Sequence, residues 1–109
     1  MEFTKVTAII RNELVEKVEV ALEKVGVSGF TVTKVSGVGE WEKKFSFYNG
    51  PSPHCEIEIF TEGNRAEQIA RVIMDAAHTG SVGDGLVAVL PVNMVFRIRT
   101  KALAEFGEV

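Results

Sequence analysis

Three stretches of this sequence hold residue types that could do chemistry. The first is Thr79-Gly80-Ser81-Val82-Gly83-Asp84-Gly85. Its closely spaced glycines let backbone N–H groups turn toward one point, and such a nest binds anions. The stretch lacks the Lys-Ser/Thr ending of a nucleoside-triphosphate loop and follows a helical pattern rather than a strand. The same spacing also fits a helix end and a tight turn into a strand. The second stretch is Arg97-Ile98-Arg99. In an extended chain, residues two apart point the same way, about 6–7 Å from each other. Both guanidiniums would then share a face, with Ile98 turned inward. That pair could clamp a di- or triphosphate, or equally lie exposed against an acidic surface. The third stretch is residues 40–53, which carry Trp41, Phe45, Phe47 and Tyr48. Connections this long are uncommon unless functional. Its aromatics would either dock a partner or fold back on their own domain.

Catalytic chemistry finds little support. His54 and Cys55 are sequence neighbours, so on a strand they face opposite sides and cannot act as a nucleophile–base pair. A metal at His54 would need ligands from other subunits. His78, close to a helix end, would cap carbonyls or face solvent. Glu56 and Glu58 share a strand face, but nothing marks them as an acid–base couple.

The elements that must position these residues follow from periodicity. Residues 3–11 place Val6, Ala8 and Ile10 on one face at period two, as a half-buried strand does. Asn12 could cap the next element. Over residues 13–25, Leu14, Val18, Ala21, Leu22 and Val25 recur at helical spacing, and Gly26 ends the helix. Residues 30–38 are β-branched and predict a second strand. Residues 55–61 put Cys55, Ile57 and Ile59 on one face. The run Asn64-Arg65-Ala66-Glu67 reads as a capping box, opening a helix striped by Ile69, Val72, Ile73, Ala76 and Ala77 up to Gly80. Residues 86–92 form a fourth strand, and 94–100 an extended piece beyond it. Strand-helix-strand twice over predicts an α+β, ferredoxin-like βαββαβ fold with both helices on one face of an antiparallel sheet. The other sheet face, rich in Val, Ile and Phe, calls for another subunit.

Composition sets the frame. The 109 residues make one domain, 1–109, with 46% hydrophobic and 25% charged residues. A net charge of −3 argues against binding nucleic acid through its phosphates. No apolar run is long enough to enter a membrane as a spanning helix. One cysteine permits no internal disulfide, and Met1-Glu2-Phe3-Thr4-Lys5 does not open a secretory signal, so a cytoplasmic setting is expected. A mean hydropathy of +0.14 is generous for so small a domain and favours a homo-oligomer.

The motifs TGSVGDG and VFRIRT, with AIIR, GVSGFTVTKVSGVG and FYNGPSPHCEIEIF upstream, closely resemble the PII nitrogen-regulatory signalling family. The similarity covers nearly the whole chain. It implies a non-enzymatic, ferredoxin-like homotrimer that binds adenine nucleotide in clefts between subunits. It also implies regulation of a protein partner, such as a transporter or metabolic enzyme, through a T-loop at about 40–53. Carried over by position, Ile9, Thr31, Gly37, Val38, Gly39 and Phe60 would line the base and ribose pocket. Thr79, Gly83, Asp84 and Gly85, in a B-loop at about 79–85, would cradle phosphates, and Arg97 and Arg99 would reach them from the neighbouring chain.

Several positions depart from that family's pattern. Glu40 and Trp41 stand where an arginine and a glutamine serve ATP, magnesium and 2-oxoglutarate. Leu86 replaces a lysine after GDG, and His54 replaces a lysine that touches 2-oxoglutarate and phosphate. The T-loop is short and lacks its later tyrosine, and Lys101-Ala102-Leu103-Ala104-Glu105-Phe106 replaces a glycine-containing turn. Positive charge is lost at the distal-phosphate end, where a carboxylate repels. The resemblance therefore implies ADP or AMP as ligand, with ATP weaker, no tightly bound cofactor, no metal, and bicarbonate in place of 2-oxoglutarate as a second ligand. The alternative is a trimeric interaction scaffold, or a metal-binding trimer of the same fold.

Overall fold

Burial alternates from Val6 to Ile10 along Phe3–Arg11, the central strand β1, with Val6, Ala8 and Ile10 at 0–1% exposure. The computed structural model of the chain describes residues 2–37 and 54–107. Within them, α1 (Val15–Lys24) follows β1, then β2 (Thr31–Val35), β3 (His54–Glu62), α2 (Ala66–Ala77) and β4 (Leu86–Val92). The four strands form one antiparallel sheet in the order β2-β3-β1-β4. This is the expected βαββαβ arrangement, α+β and ferredoxin-like.

The core lies between the sheet and the two helices. Val6, Ala8 and Ile10 of β1 and Ile57 and Ile59 of β3 meet Val18 and Leu22 of α1 and Ile69 and Ile73 of α2. Each large side chain of this set is worth about 1.5–3 kcal/mol in burial. At the end of α1, Gly26 takes φ +83°, the left-handed conformation of a helix C-terminus.

The helix starts differ from expectation. Turns of 3-10 helix, Asn12–Leu14 and Gly63–Arg65, precede both helices. Asn12 and Asn64 therefore sit inside the first turn and cannot cap it, and neither helix has a side-chain cap. Asn12 instead accepts a hydrogen bond from the Cys55 thiol. Arg65 donates to the Val25 carbonyl, which ties the start of α2 to the end of α1.

The extended piece expected over 94–100 is a hairpin. The short strands β5 (Phe96–Arg97) and β6 (Ala102–Leu103) pair with each other, and the Lys101 N–H closes the turn on the Arg97 carbonyl at 2.8 Å. Ile98 is 94% exposed rather than turned inward, because the chain reverses at that point. Beyond the hairpin the chain folds back, and the Phe106 ring meets Phe3 edge-on with centroids 4.8 Å apart.

Among the described residues, no helix covers the second sheet face. Lys5, Thr7 and Ile9 line it from β1, Glu56, Glu58 and Phe60 from β3, and Leu86 and Leu90 from β4. Phe60, Leu86 and Leu90 are each more than a third exposed. Lys5 lies 3.6 Å from Glu58. Desolvation, then the hydrogen bond and charge of Glu58, push the Glu56 carboxyl above its usual range.

Candidate functional site

The chain between α2 and β4 is held as a tight loop by its own aspartate. The Asp84 carboxylate accepts the backbone N–H groups of Thr79 at 2.9 Å and Gly80 at 2.8 Å, and also the Thr79 hydroxyl. Arg11 completes the set, with its Nε 3.2 Å from Asp84 Oδ1. The Thr79 hydroxyl, the two amides and the guanidinium hold the Asp84 carboxyl far below the usual carboxylate range, against the opposing effect of burial. Two backbone N–H groups of the loop thus converge on an internal anion, as in a nest.

Two glycines make this geometry possible. Gly85 has φ +98°, and a Cβ there would lie 1.8 Å from the Ile9 carbonyl oxygen. No side chain fits at that separation. Gly83, at φ +105°, is buried against the Arg11 guanidinium, which would stand 3.1 Å from an added Cβ.

Two supporting residues were not legible as such in the sequence. Arg11, the last residue of β1, also donates to the Val82 carbonyl at 3.0 Å. His54, the first residue of β3, is wholly buried, and its Nε2 lies 2.8 Å from the Gly83 carbonyl oxygen. The signal that could have found Arg11 is an acidic residue inside a glycine loop, which needs a cation beside it. His54 and Cys55 do face opposite sides, as alternation requires. His78 is exposed at the end of α2.

The expected site residues that the structure describes fall into three groups. Ile9 pairs with Leu86 directly after the loop, so Ile9, Thr79, Gly83, Asp84 and Gly85 gather at one end of the sheet. Gly37 follows β2 at that same end, because Val35 pairs with His54. A cleft of about 200 Å³ opens beside the loop, walled in part by Ile9, Met74, His78 and Leu86. Phe60 pairs with Lys5, and Thr31 with Glu58, so both lie farther along the open face. Arg97 and Arg99 follow the far end of β4, about 20 Å from the loop by the rise of that strand. A single chain does not bring the arginines to the loop. Arg97 is half-buried and Arg99 exposed in the turn, so the two do not share a strand face as expected. Val38, Gly39, Glu40, Trp41, Phe45, Phe47 and Tyr48 lie outside the described residues.

An antiparallel ferredoxin-like sheet with an aspartate-stitched glycine loop at one end and an arginine hairpin beyond the other defines a small class of proteins. The family model described as nitrogen regulatory protein P-II matches residues 3–102. The chain belongs to the P-II family of nitrogen regulatory proteins. It is similar to the nitrogen regulatory protein P-II of Azospirillum brasilense, 38% identical over 102 residues that cover 88% of this chain and 91% of that one. The P-II protein of Pyropia yezoensis is 36% identical over 91% of this chain and 94% of its own. Among solved structures, the chain resembles Arabidopsis thaliana PII bound to citrate, with a TM-score of 0.79 and 36% identity over 95% of this chain and 90% of that one. Among the described residues, no helix is long and apolar enough to cross a membrane.

Proposed function

We propose that this chain is a cytoplasmic sensor of adenine nucleotides and not an enzyme. It assembles as a homotrimer and binds ADP or AMP in the clefts between subunits. The bound state passes to a protein partner, such as a membrane transporter or a metabolic enzyme, through the aromatic segment at 40–53. In this reading Ile9, Thr31, Gly37, Val38, Gly39 and Phe60 receive the base and ribose. Thr79, Gly83, Asp84 and Gly85 form the phosphate cradle, and Arg97 and Arg99 arrive from the next subunit.

One observation carries this reading above the others: the glycine loop and the arginine hairpin stand at opposite ends of the sheet. Two ends that fit one ligand but cannot meet within a chain are what a site shared between copies requires. The charge balance then favours the shorter nucleotides. Arg11, the cation beside the loop, is engaged by Asp84. By the family resemblance, Glu40 and Leu86 replace an arginine and a lysine. Arg97 and Arg99 therefore supply the positive charge, and each added phosphate brings more negative charge to the same two groups. The Arabidopsis relative was captured with citrate, a small carboxylate anion. Bicarbonate is the small anion proposed as second ligand here.

Calorimetric titration with AMP, ADP and ATP, the last with and without magnesium, tests the proposal. The expected result is tight ADP or AMP and weak, magnesium-insensitive ATP. Arg97→Ala should lower ADP affinity about tenfold or more, as one strong phosphate contact goes. A scaffold that needs no nucleotide gives no heat with any of the three, and that result would reject the sensor. Bicarbonate drops out as second ligand if it leaves ADP affinity unchanged.

A further inference from the structure

We propose that His54 is a positioning residue that sets the loop at 79–85 in its anion-ready shape before any ligand arrives. This rests on the reading of that loop as the phosphate cradle. A wholly buried imidazole is costly unless its polar atoms are bonded. Here Nε2 lies 2.8 Å from the Gly83 carbonyl oxygen. A carbonyl only accepts, so Nε2 carries the hydrogen. The anchor itself is rigid, since His54 pairs with Arg11 of β1 on one side and Val35 of β2 on the other.

The consequence for the loop follows from peptide planarity. In a trans peptide the C=O of one residue and the N–H of the next point in opposite directions. Arg11 holds the Val82 carbonyl inward at 3.0 Å, which turns the Gly83 N–H outward. His54 holds the Gly83 carbonyl, which turns the Asp84 N–H the opposite way, toward the Ser81 carbonyl 3.3 Å away. The orientations of two consecutive amides are thereby fixed before any anion arrives. His54 thus needs no contact with the ligand. Its contribution is the orientation of the peptide plane between Gly83 and Asp84.

The test compares His54→Phe, which keeps a ring but has no N–H, with His54→Gln, which keeps a donor of similar reach. Two readouts are taken: ADP affinity by calorimetry, and the Gly83 and Asp84 amide resonances in the nucleotide-free protein. H54F should weaken ADP binding about tenfold and move both amide resonances, while H54Q should recover affinity to within about threefold and return the resonances toward their original positions. A side chain that merely fills space would not show rescue by the donor. Should H54F not fold, His54→Asn, too short to reach Gly83, takes its place. H54F with unchanged ADP affinity and unchanged amides overturns the proposal and leaves the nucleotide sensor standing. If the unmodified protein binds no ADP, the sensor fails instead, and the amide resonances alone decide on His54: displaced and rescued supports it, unmoved overturns it.

Discussion

Gly85→Ala is the sharpest single perturbation of the loop. The added methyl would sit 1.8 Å from the Ile9 carbonyl oxygen and 2.8 Å from its carbonyl carbon, both backbone atoms of β1. Relief needs a movement of more than about 1 Å, since ordinary carbon–oxygen contacts begin near 3.3 Å. Neither side yields easily, because Ile9 is paired with Leu86 on one flank and with Glu56 on the other. The left-handed φ of +98° adds about 1–2 kcal/mol for a residue with a Cβ. With distorted pairing included, the total loss should be about 3 kcal/mol or more. Urea unfolding at matched protein concentration is the assay, and at a typical slope the midpoint should fall by about 1–3 M. Gly26→Ala is the control. It shares a positive φ of +83° but meets no atom of the described residues within 4 Å, so it should lose only the conformational part, about 1–2 kcal/mol. Equal losses in the two variants would refute the close-approach argument.

Two further predictions concern charge. Asp84→Asn should lower stability by about 1.5–3 kcal/mol, because charge-assisted bonds to two amides and Arg11 are weakened. Since the Asp84 carboxyl titrates below its usual value of 3.8, its contribution is present above that pH and lost as pH falls. Thermal melts across the acid range should therefore show a shallower acid loss in the variant, and an unchanged slope would count against the loop network. Glu56 has the opposite sign. Its carboxyl titrates above 4.5, so it is ionised at a cost in the folded protein, and stability falls as pH rises through the raised value. Glu56→Gln should raise the melting temperature at neutral pH and remove that slope; a lower melting temperature at pH 7 would refute it.

Periodicity carries most of the fold. Val6, Ala8 and Ile10 or Ile69 and Ile73 can be placed from spacing alone, because burial on one face is a property of the local chain. The helix starts are less legible. Asn64 falls within a first turn whose Arg65 reaches Val25 across the fold, a partner that local spacing does not reveal. The C-terminal arginines misled for a similar reason. Alternation over Arg97-Ile98-Arg99 reads as a strand, yet the turn is closed by Lys101, four residues from Arg97. In the loop, glycine spacing announces unusual backbone. It cannot say that Asp84 fills part of the nest, nor that Arg11 and His54 brace it, because those partners are 73 and 29 residues distant from the residues they hold.

The roughly strand-long gap between the glycine loop and the arginine hairpin has a genetic consequence. Where a site is shared between copies, each chain lends its loop to one cleft and its hairpin to another. A chain damaged only at the loop and a chain damaged only at the hairpin, expressed together, can form mixed assemblies in which one cleft pairs a sound loop with a sound hairpin. Two alleles that each abolish the site alone would then complement one another, and the same architecture would let a hairpin-defective copy silence a cleft belonging to a healthy neighbour.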